Sequence, residues 1–488
     1  MMRSSDGVTD TSSSIGVSGW GKAAPVLAVY VAISLCGFVP IWIIAATSAP
    51  PTSAWVGVAV ATVVAGARFA WVIGSGRRRI FEMCVWLFFY VFLGVAPLVQ
   101  LRDQVDPSTT PDLPHDHDWT AVVIVLTAQV SYIAGNWWAA RSRHRGNILP
   151  RGRIVDGHRT NVFLLALSAL AVAYVGLVGP ATLFLNRTER GQVTANVFGN
   201  DVLVTVLNAF VSVGLLVAIV ARLEVERRRR VRSGQSRYLP VVLACIPLAL
   251  IVNPIGSPRF TVLTVALGLF AAMGAYKSLA RYRLTALVAL GSMFLLFPVL
   301  DTFRRTLENT IEITDPLVSL KSGDFDGFSQ IINTAAFVEV NGISWGNQIL
   351  GVLLFFVPRS MWAEKPTDTG ILLADFRGYA FTNLSAPLPA ELYINGGWFA
   401  LVLGSLVFGY VVYRLDARAE LQLMRIGIPT VLGCVLPFYL IFAMRGSLLQ
   451  ATANLAVMLL TWFLVSRSAD VSSQSRTGAS GSASRKSK

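Results

Sequence analysis

Between residues 25 and 466 the chain is a succession of apolar runs. Most are close to the length, about 20 residues, that an α-helix needs to cross a hydrocarbon core roughly 30 Å thick. A soluble fold cannot hide so many runs, because each is apolar around its whole circumference. We read spans at 25–46, 53–74, 80–100, 119–139, 161–178, 201–221, 239–253, 260–276, 284–300, 397–413, 427–443 and 450–466. The expected fold is therefore all-α: a polytopic integral membrane protein of about twelve transmembrane helices. Residues 23–300 carry helices one to nine, and 301–396 form a large external loop between helices nine and ten. Residues 397–466 carry helices ten to twelve. The Ser/Gly-rich tails, 1–22 and 467–488, are expected to be disordered and cytoplasmic. The first run has no small-residue cleavage site ahead of it and is expected to remain as a helix.

Charge placement gives the orientation. Hydrophobic residues make up 54% of the chain and charged residues only 14%, with a formal net charge of +14. Most of the 41 Lys and Arg fall in the tails and in alternate loops, at Arg77-Arg78-Arg79, Arg141 to Arg145, Arg227 to Arg230, Lys277 to Arg283 and Arg414 to Arg425. The positive-inside rule assigns that side, with both termini, to the cytoplasm of a cell membrane. No basic face with interleaved aromatics exists, so nucleic acid is not an expected partner. Cys36, Cys84, Cys245 and Cys434 lie inside apolar runs and read as small buried residues.

The opposite side carries the unusual chemistry. Its loop 103–118 is acidic and Pro-rich, and residues 301–396 contain no run long enough to span. Within that stretch, 325–340 fits an amphipathic helix, while 349–357 is too short to cross and reads as a re-entrant or interface-lying segment. Long loops of this kind are usually functional. Arginines collect here against the topology rule: Arg187, Arg190, Arg259, Arg304, Arg305, Arg359, Arg377 and Arg445. Guanidinium groups match phosphate oxygens bidentately and stay charged when partly buried. A set of them at the membrane surface suits a diphosphate whose lipid tail stays in the bilayer. The plainer reading of any one arginine is an ion pair with a neighbouring carboxylate or a snorkelling side chain. Arg187 and Arg190, three apart, would share a helix face. Arg259 follows the stiff turn Asn253-Pro254 and Ser257-Pro258, which places it at the positive dipole end of a helix. Arg68 lies inside span two and is expected to snorkel without a role.

Carboxylates on the same side could act as acid or base, and Glu391 and Asp375 are the candidates. Glu391 follows Pro387-Leu388-Pro389 just before Asn395-Gly396-Gly397; its plainer role is a helix-start charge. Asp324-Phe325-Asp326 matches a short metal-binding pattern, but no strand precedes it. His115-Asp116-His117 reads as solvated. No metal and no cofactor is expected, and no Gly-rich phosphate loop or hydrolase triad occurs.

Several strings carry a resemblance: Gly323 to Phe328, Phe356-Val357-Pro358-Arg359-Ser360-Met361-Trp362-Ala363-Glu364-Lys365-Pro366, Pro387 to Gly397, the Asn253 to Arg259 turn, and Leu93-Gly94…Pro97…Gln100. Together they resemble the O-antigen polymerase (Wzy) group of polysaccharide repeat-unit polymerases across spans three to eleven. Ala363 departs from that pattern, where a proline commonly follows the Trp. The resemblance implies a membrane glycosyltransferase whose substrate is a polyprenyl-diphosphate-linked oligosaccharide, joined to another outside the cytoplasmic membrane. The bilayer, a flippase and a chain-length regulator are the other implied partners. Arg187, Arg190, Arg259, Arg304, Arg305, Arg359 and Arg445 would bind the diphosphate, and Glu391 or Asp375 would accept the proton.

A ligase transferring finished glycan to a different acceptor shares this logic. A mannosyltransferase using a lipid-phosphate sugar would carry acidic residues in the first external loop, and residues 47–53 have none. A flippase or transporter would place ionisable groups within its spans; here the spans are nearly free of charge.

Overall fold

Every apolar run becomes a helix in the computed structural model, which describes residues 20–48, 52–144, 153–305 and 316–468. The helices are α1 (Pro25–Ala46), α2 (Ala54–Gly74), α3 (Ile80–Asp103), α4 (His115–Ser142), α5 (Gly157–Val178), α6 (Arg187–Phe198) and α7 (Leu203–Ser233). They continue with α8 (Leu239–Ile251), α9 (Arg259–Met273), α10 (Leu279–Arg305), α11 (Gly327–Asn341), α12 (Asn347–Leu353) and α13 (Thr369–Arg377). The last are α14 (Leu388–Ile426), α15 (Val431–Arg445) and α16 (Leu448–Val465). Among the described residues, 8 helices (α1 to α5, α7, α14 and α16) are long and apolar enough to cross a membrane; α8, α9 and α15 are shorter apolar helices. A single two-stranded antiparallel pair, β1 (Arg153–Val155) with β2 (Ser466–Ser468), is the strand structure among these residues. The sequence placed Arg467 in a disordered tail; it pairs here with Ile154 instead.

The outward faces of the bundle are apolar. On α5, Val162, Leu165, Val172 and Leu177 are exposed, and on α8, Leu239, Val242, Leu243 and Ile246. Water does not tolerate such faces and hydrocarbon does, so the chain is membrane-embedded. Inside, α3 is enclosed on all sides: every residue from Ile80 to Arg102 is buried. Its start is fixed by Asp416 of α14, whose carboxylate accepts the Phe81 and Glu82 backbone N–H groups at 2.8 and 2.9 Å. Two prolines inside spans, Pro40 and Pro97, each follow a π-helical turn, at residues 34–38 and 91–95. The wider turn accommodates a ring that would clash with the carbonyl four residues back.

The tightest helix crossing joins α4 to α14. A Cβ on Gly135 would stand 1.9 Å from the Leu406 carbonyl oxygen, and one on Gly409 would stand 2.1 Å from that of Tyr132. Small residues let two backbones approach where hydrocarbon offers no hydrophobic drive.

Loops sort to two ends of the bundle. One end gathers Arg78 with Glu420 at 2.8 Å, Arg227 with the Met273 carbonyl, and Arg153 with Ser466. The other gathers residues 103–114, 179–190, 252–258, 316–387 and 445–447. Arg68 does not snorkel: it pairs with buried Glu82 at 2.7 Å and stacks on Trp71. The segment expected to be an amphipathic helix is α11, in which Gly327 to Ala336 are buried on every face. Residue 397, the expected start of the tenth span, lies inside α14, at a kink where Gly397 has φ 58 and ψ −146, a conformation open to glycine almost alone. The carbonyls freed there are satisfied from the loop ahead: Ile394 accepts Ser344 N–H at 2.8 Å and Asn395 accepts Gly346 N–H at 2.9 Å. The segment expected to lie at the interface contains α12, and Trp345, Leu353, Phe356 and Met361 around it are highly exposed.

Gly409→Val is expected to cost about 3 kcal/mol by forcing α4 and α14 apart. Gly176→Ala, with nothing within 4 Å of the added methyl, should be neutral. Thermal unfolding of the purified chain in detergent checks both, and an unaffected Gly409→Val would contradict the crossing.

Candidate functional site

The end that carries residues 316–387 holds a cavity of about 570 Å³. Its polar wall is built from helix ends. Arg187 is the first residue of α6, Arg259 the first of α9, and Gln450 sits in the first turn of α16, while Arg445 is the last residue of α15. Three helix N-termini, one helix C-terminus and three guanidinium groups therefore meet at one space, so the positive dipole ends outnumber the negative. Phe260, Phe442, Phe381 and Leu384 form an apolar wall, and Asn383 and Asn454 add neutral donors and acceptors.

Local sequence explains the placement of Arg259. Asn253 Oδ1 accepts the N–H groups of Ile255 and Gly256 at 3.1 and 2.9 Å, and its Nδ2 donates to the Leu183 carbonyl at 2.9 Å. That side chain closes the Pro254–Pro258 turn and fastens it to the loop that launches α6. A Cβ on Gly256 would stand 2.8 Å from the Leu183 carbonyl oxygen, so the two loops touch at backbone level. Pro258 then opens α9, with no side chain capping the helix.

Two carboxylates balance the arginines. Arg259 Nη1 donates to Asp324 Oδ2 at 3.0 Å. Arg445 Nη2 donates to the carbonyl oxygens of Gly323 and Asp324, at 3.1 Å each, and to Asp326 Oδ1 at 3.3 Å. Burial pushes Asp326 above the usual carboxylate range, and the Arg445 charge opposes that rise. Asp326 Oδ2 also accepts the Ser385 N–H at 3.2 Å. Asp324 and Asp326 thus face different arginines. The segment is held from below by α3, whose Gln100 Nε2 donates to the Leu320 and Phe325 carbonyls at 2.8 and 3.1 Å. Phe325 stacks on Phe92 with ring centroids 5.2 Å apart, and Lys321 pairs with Asp103 at 2.6 Å.

Of the arginines picked out from sequence, Arg187, Arg259 and Arg445 line the cavity. Arg190 does not. Although three residues from Arg187, it is buried and donates to the Ile251 carbonyl at 3.0 Å and to Ser257 Oγ at 3.3 Å. Arg359 closes its own loop, donating to the Lys365 carbonyl at 2.8 Å, while Lys365 Nζ donates to the Phe355 and Val357 carbonyls at 2.6 and 2.8 Å. Burial, and after it the Arg359 charge, holds the Lys365 ammonium below its usual range. Arg377 donates to the Asp112 carbonyl. Arg304 and Arg305 end α10, and their side chains lie outside the described residues.

Neither expected proton acceptor lies on the cavity wall. Asp375 is exposed on α13. Glu391 is buried and accepts the Thr369 hydroxyl at 2.9 Å and the Leu448 N–H at 3.0 Å, which ties α13 and α14 to the start of α16. Asp368 caps α13 through the Gly370 N–H at 2.8 Å. Burial raises Asp368 above the ordinary carboxylate value, against the Ser447 hydroxyl and the N–H groups of Gly370 and Ile371. The two histidines of the acidic loop are fasteners: His115 bonds Asp118 at 3.2 Å, and His117 reaches Glu339 of α11 at 3.0 Å. Sequence reasoning missed the aromatic wall and the Asn383–Gln450 contact of 3.0 Å. Apolar residues in an apolar chain carry no signal of their own. No family model matches the chain, and neither does any curated protein or solved structure.

Arg190→Ala should cost roughly 2 kcal/mol of folding stability by stranding buried partners. Arg187→Ala, at an exposed site, should stay within about 0.5 kcal/mol. Unfolding midpoints in detergent compare the two, and equal losses would erase the division between supporting and cavity arginines.

Proposed function

We propose that the chain is a membrane glycosyltransferase that polymerises polyprenyl-diphosphate-linked oligosaccharide repeat units on the outer face of the cytoplasmic membrane. In this reading α1 to α5, α7 to α10 and α14 to α16 are the twelve spans, and both termini face the cytoplasm. The arginine-lined cavity opens outside. The convergence of Arg187, Arg259 and Arg445, from three separate segments, on one cavity with an aromatic wall carries the proposal. The resemblance of Gly323 to Phe328, Pro387 to Gly397 and the Asn253 to Arg259 turn to O-antigen polymerases supports it, since these strings build or brace that cavity.

The chemistry asked of the site is modest. A hydroxyl of one lipid-linked saccharide attacks the anomeric carbon of another, and the bond from that carbon to the phosphate oxygen breaks. The electron pair leaves with the lipid diphosphate. The largest catalytic contribution is stabilisation of that departing charge by donors already in place. Guanidinium forks at Arg187, Arg259 and Arg445 are suited to phosphate oxygens. Phe260 and Phe442 offer a surface for the first isoprenes, and Asn383, Gln450 and Asn454 can bond sugar hydroxyls. Within the bundle Arg68 is paired with Glu82 and Asp416 accepts the Phe81 and Glu82 N–H groups, whereas a transporter is expected to present ionisable groups to a central cavity.

Deletion of the chain should leave single repeat units on lipid carrier and abolish the long polymer. Arg259→Ala and Arg445→Ala should each slow polymerisation a hundredfold or more, about 3 kcal/mol of barrier. Gel analysis of lipid-linked saccharide in complemented membranes reads both. Units trapped on the cytoplasmic leaflet would make the chain a flippase, and transfer of finished polymer to a new acceptor would make it a ligase.

A further inference from the structure

The residues lining the cavity include three arginines and one carboxylate, that of Asp324. Among the described residues, no other acidic side chain is part of that lining. Glu391 is buried and bonded to Thr369 and Leu448, Asp368 caps α13, and Asp326 is enclosed against Arg445 and Ser385. Asp375 is exposed and is not part of the wall. The two acids of the Asp324-Phe325-Asp326 string differ sharply in access: the Asp324 side chain is 24% exposed, that of Asp326 2%. One is open to the cavity and the other is structural.

Asp324 is also rigidly held. Arg445 bonds its carbonyl and that of Gly323, Gln100 bonds the Phe325 carbonyl, and a Cβ on Gly323 would stand 2.4 Å from Thr109 Cγ2. The backbone that presents the carboxylate therefore has little room to move. Its partner Arg259 orients the carboxylate through Nη1 at 3.0 Å and lines the same cavity. The proton acceptor and the arginines assigned to the leaving group therefore border one space.

We infer that Asp324 is the catalytic base of the proposed glycosyl transfer, accepting the proton of the attacking hydroxyl. The inference rests on the polymerase reading and replaces Glu391 and Asp375 in that role. As the new bond forms between the hydroxyl oxygen and the anomeric carbon, the hydroxyl proton passes to the Asp324 carboxylate. The anomeric carbon–phosphate oxygen bond breaks, and its electron pair departs with the lipid diphosphate held by Arg187, Arg259 and Arg445. Water later takes the proton from Asp324, which returns to its pair with Arg259.

The test separates basicity from positioning. Asp324→Asn keeps an oxygen acceptor for Arg259 and removes the base. The expected result in complemented membranes is a loss of polymerisation of a hundredfold or more, the usual range for a general base. Geranylgeranyl diphosphate, a short polyprenyl diphosphate, should bind the purified full-length variant as tightly as the wild type or more tightly, because a competing anion is gone. Asp324→Glu should restore part of the rate. A rate for Asp324→Asn within threefold of wild type would overturn the assignment. So would a parallel fall in diphosphate binding and rate, which would make Asp324 a support for Arg259. Wild-type membranes that elongate no lipid-linked saccharide would instead sink the polymerase reading, and the base with it.

Discussion

Like charges do not gather without a reason, and the pairing of Arg259 with Asp324 and Arg445 with Asp326 is what lets this cavity exist. At 4 Å, two unit charges repel by about 4 kcal/mol at an effective dielectric of 20, so three guanidinium groups around one space need counter-ions. The Asp324-Phe325-Asp326 string supplies them. The proposed diphosphate would bring its own negative charge to the same guanidinium groups.

Support for that string reaches deep into the bundle. Its backbone hangs on Gln100 and its ring on Phe92, both on α3, the helix enclosed by the rest of the protein. At its far end α3 is fixed by Asp416 of α14, and α14 is locked to α4 through Gly135 and Gly409. The same α14 carries Glu391, which holds the start of α16 and so the turn between Arg445 and Gln450. Positions remote from the cavity thus brace the elements that carry its wall. Sub-ångström errors at a helix crossing would be carried along stiff helices to the guanidinium groups, because packed interiors transmit strain instead of absorbing it.

Much of this architecture could be read from the chain alone. The apolar runs locate the helices because membrane helices must satisfy every backbone group internally. The Pro254 and Pro258 turn correctly put Arg259 at a helix start. Where the reading failed, the missing fact was a distant partner. Arg187 and Arg190 share a helix, yet the Ile251 carbonyl and Ser257 draw Arg190 into the protein. Nothing within three residues of Arg190 announces that. Arg445 meets Asp326 across 119 residues of sequence, and Glu391 meets Leu448 across 57. A carboxylate beside prolines looks the same on paper whether it is catalytic or a tie between helices. Arg68 misled for the opposite reason: an arginine inside an apolar run suggests snorkelling until a buried glutamate from the next helix is seen beside it.

The depth of the cavity follows from where its helices stop. Arg259 and Phe260 are consecutive at the start of α9, and Phe442 lies one turn before Arg445 at the end of α15. At 1.5 Å of rise per residue, three residues separate the backbone positions of Phe442 and Arg445 by about 4.5 Å along the axis. The rings of Phe260 and Phe442 meet with centroids 5.4 Å apart, so the two helices place their aromatic residues at one level. Arg259 and Arg445 stand just beyond that level. An apolar band under a cationic band, set at helix ends, is the profile of a membrane surface drawn inside a protein. A molecule with a hydrocarbon chain and an anionic head would find each part of itself matched without leaving the depth it already occupies in the bilayer. A soluble anion would gain only the upper band. This difference in matched surface is the physical ground for proposing a lipid-borne diphosphate and not a free one.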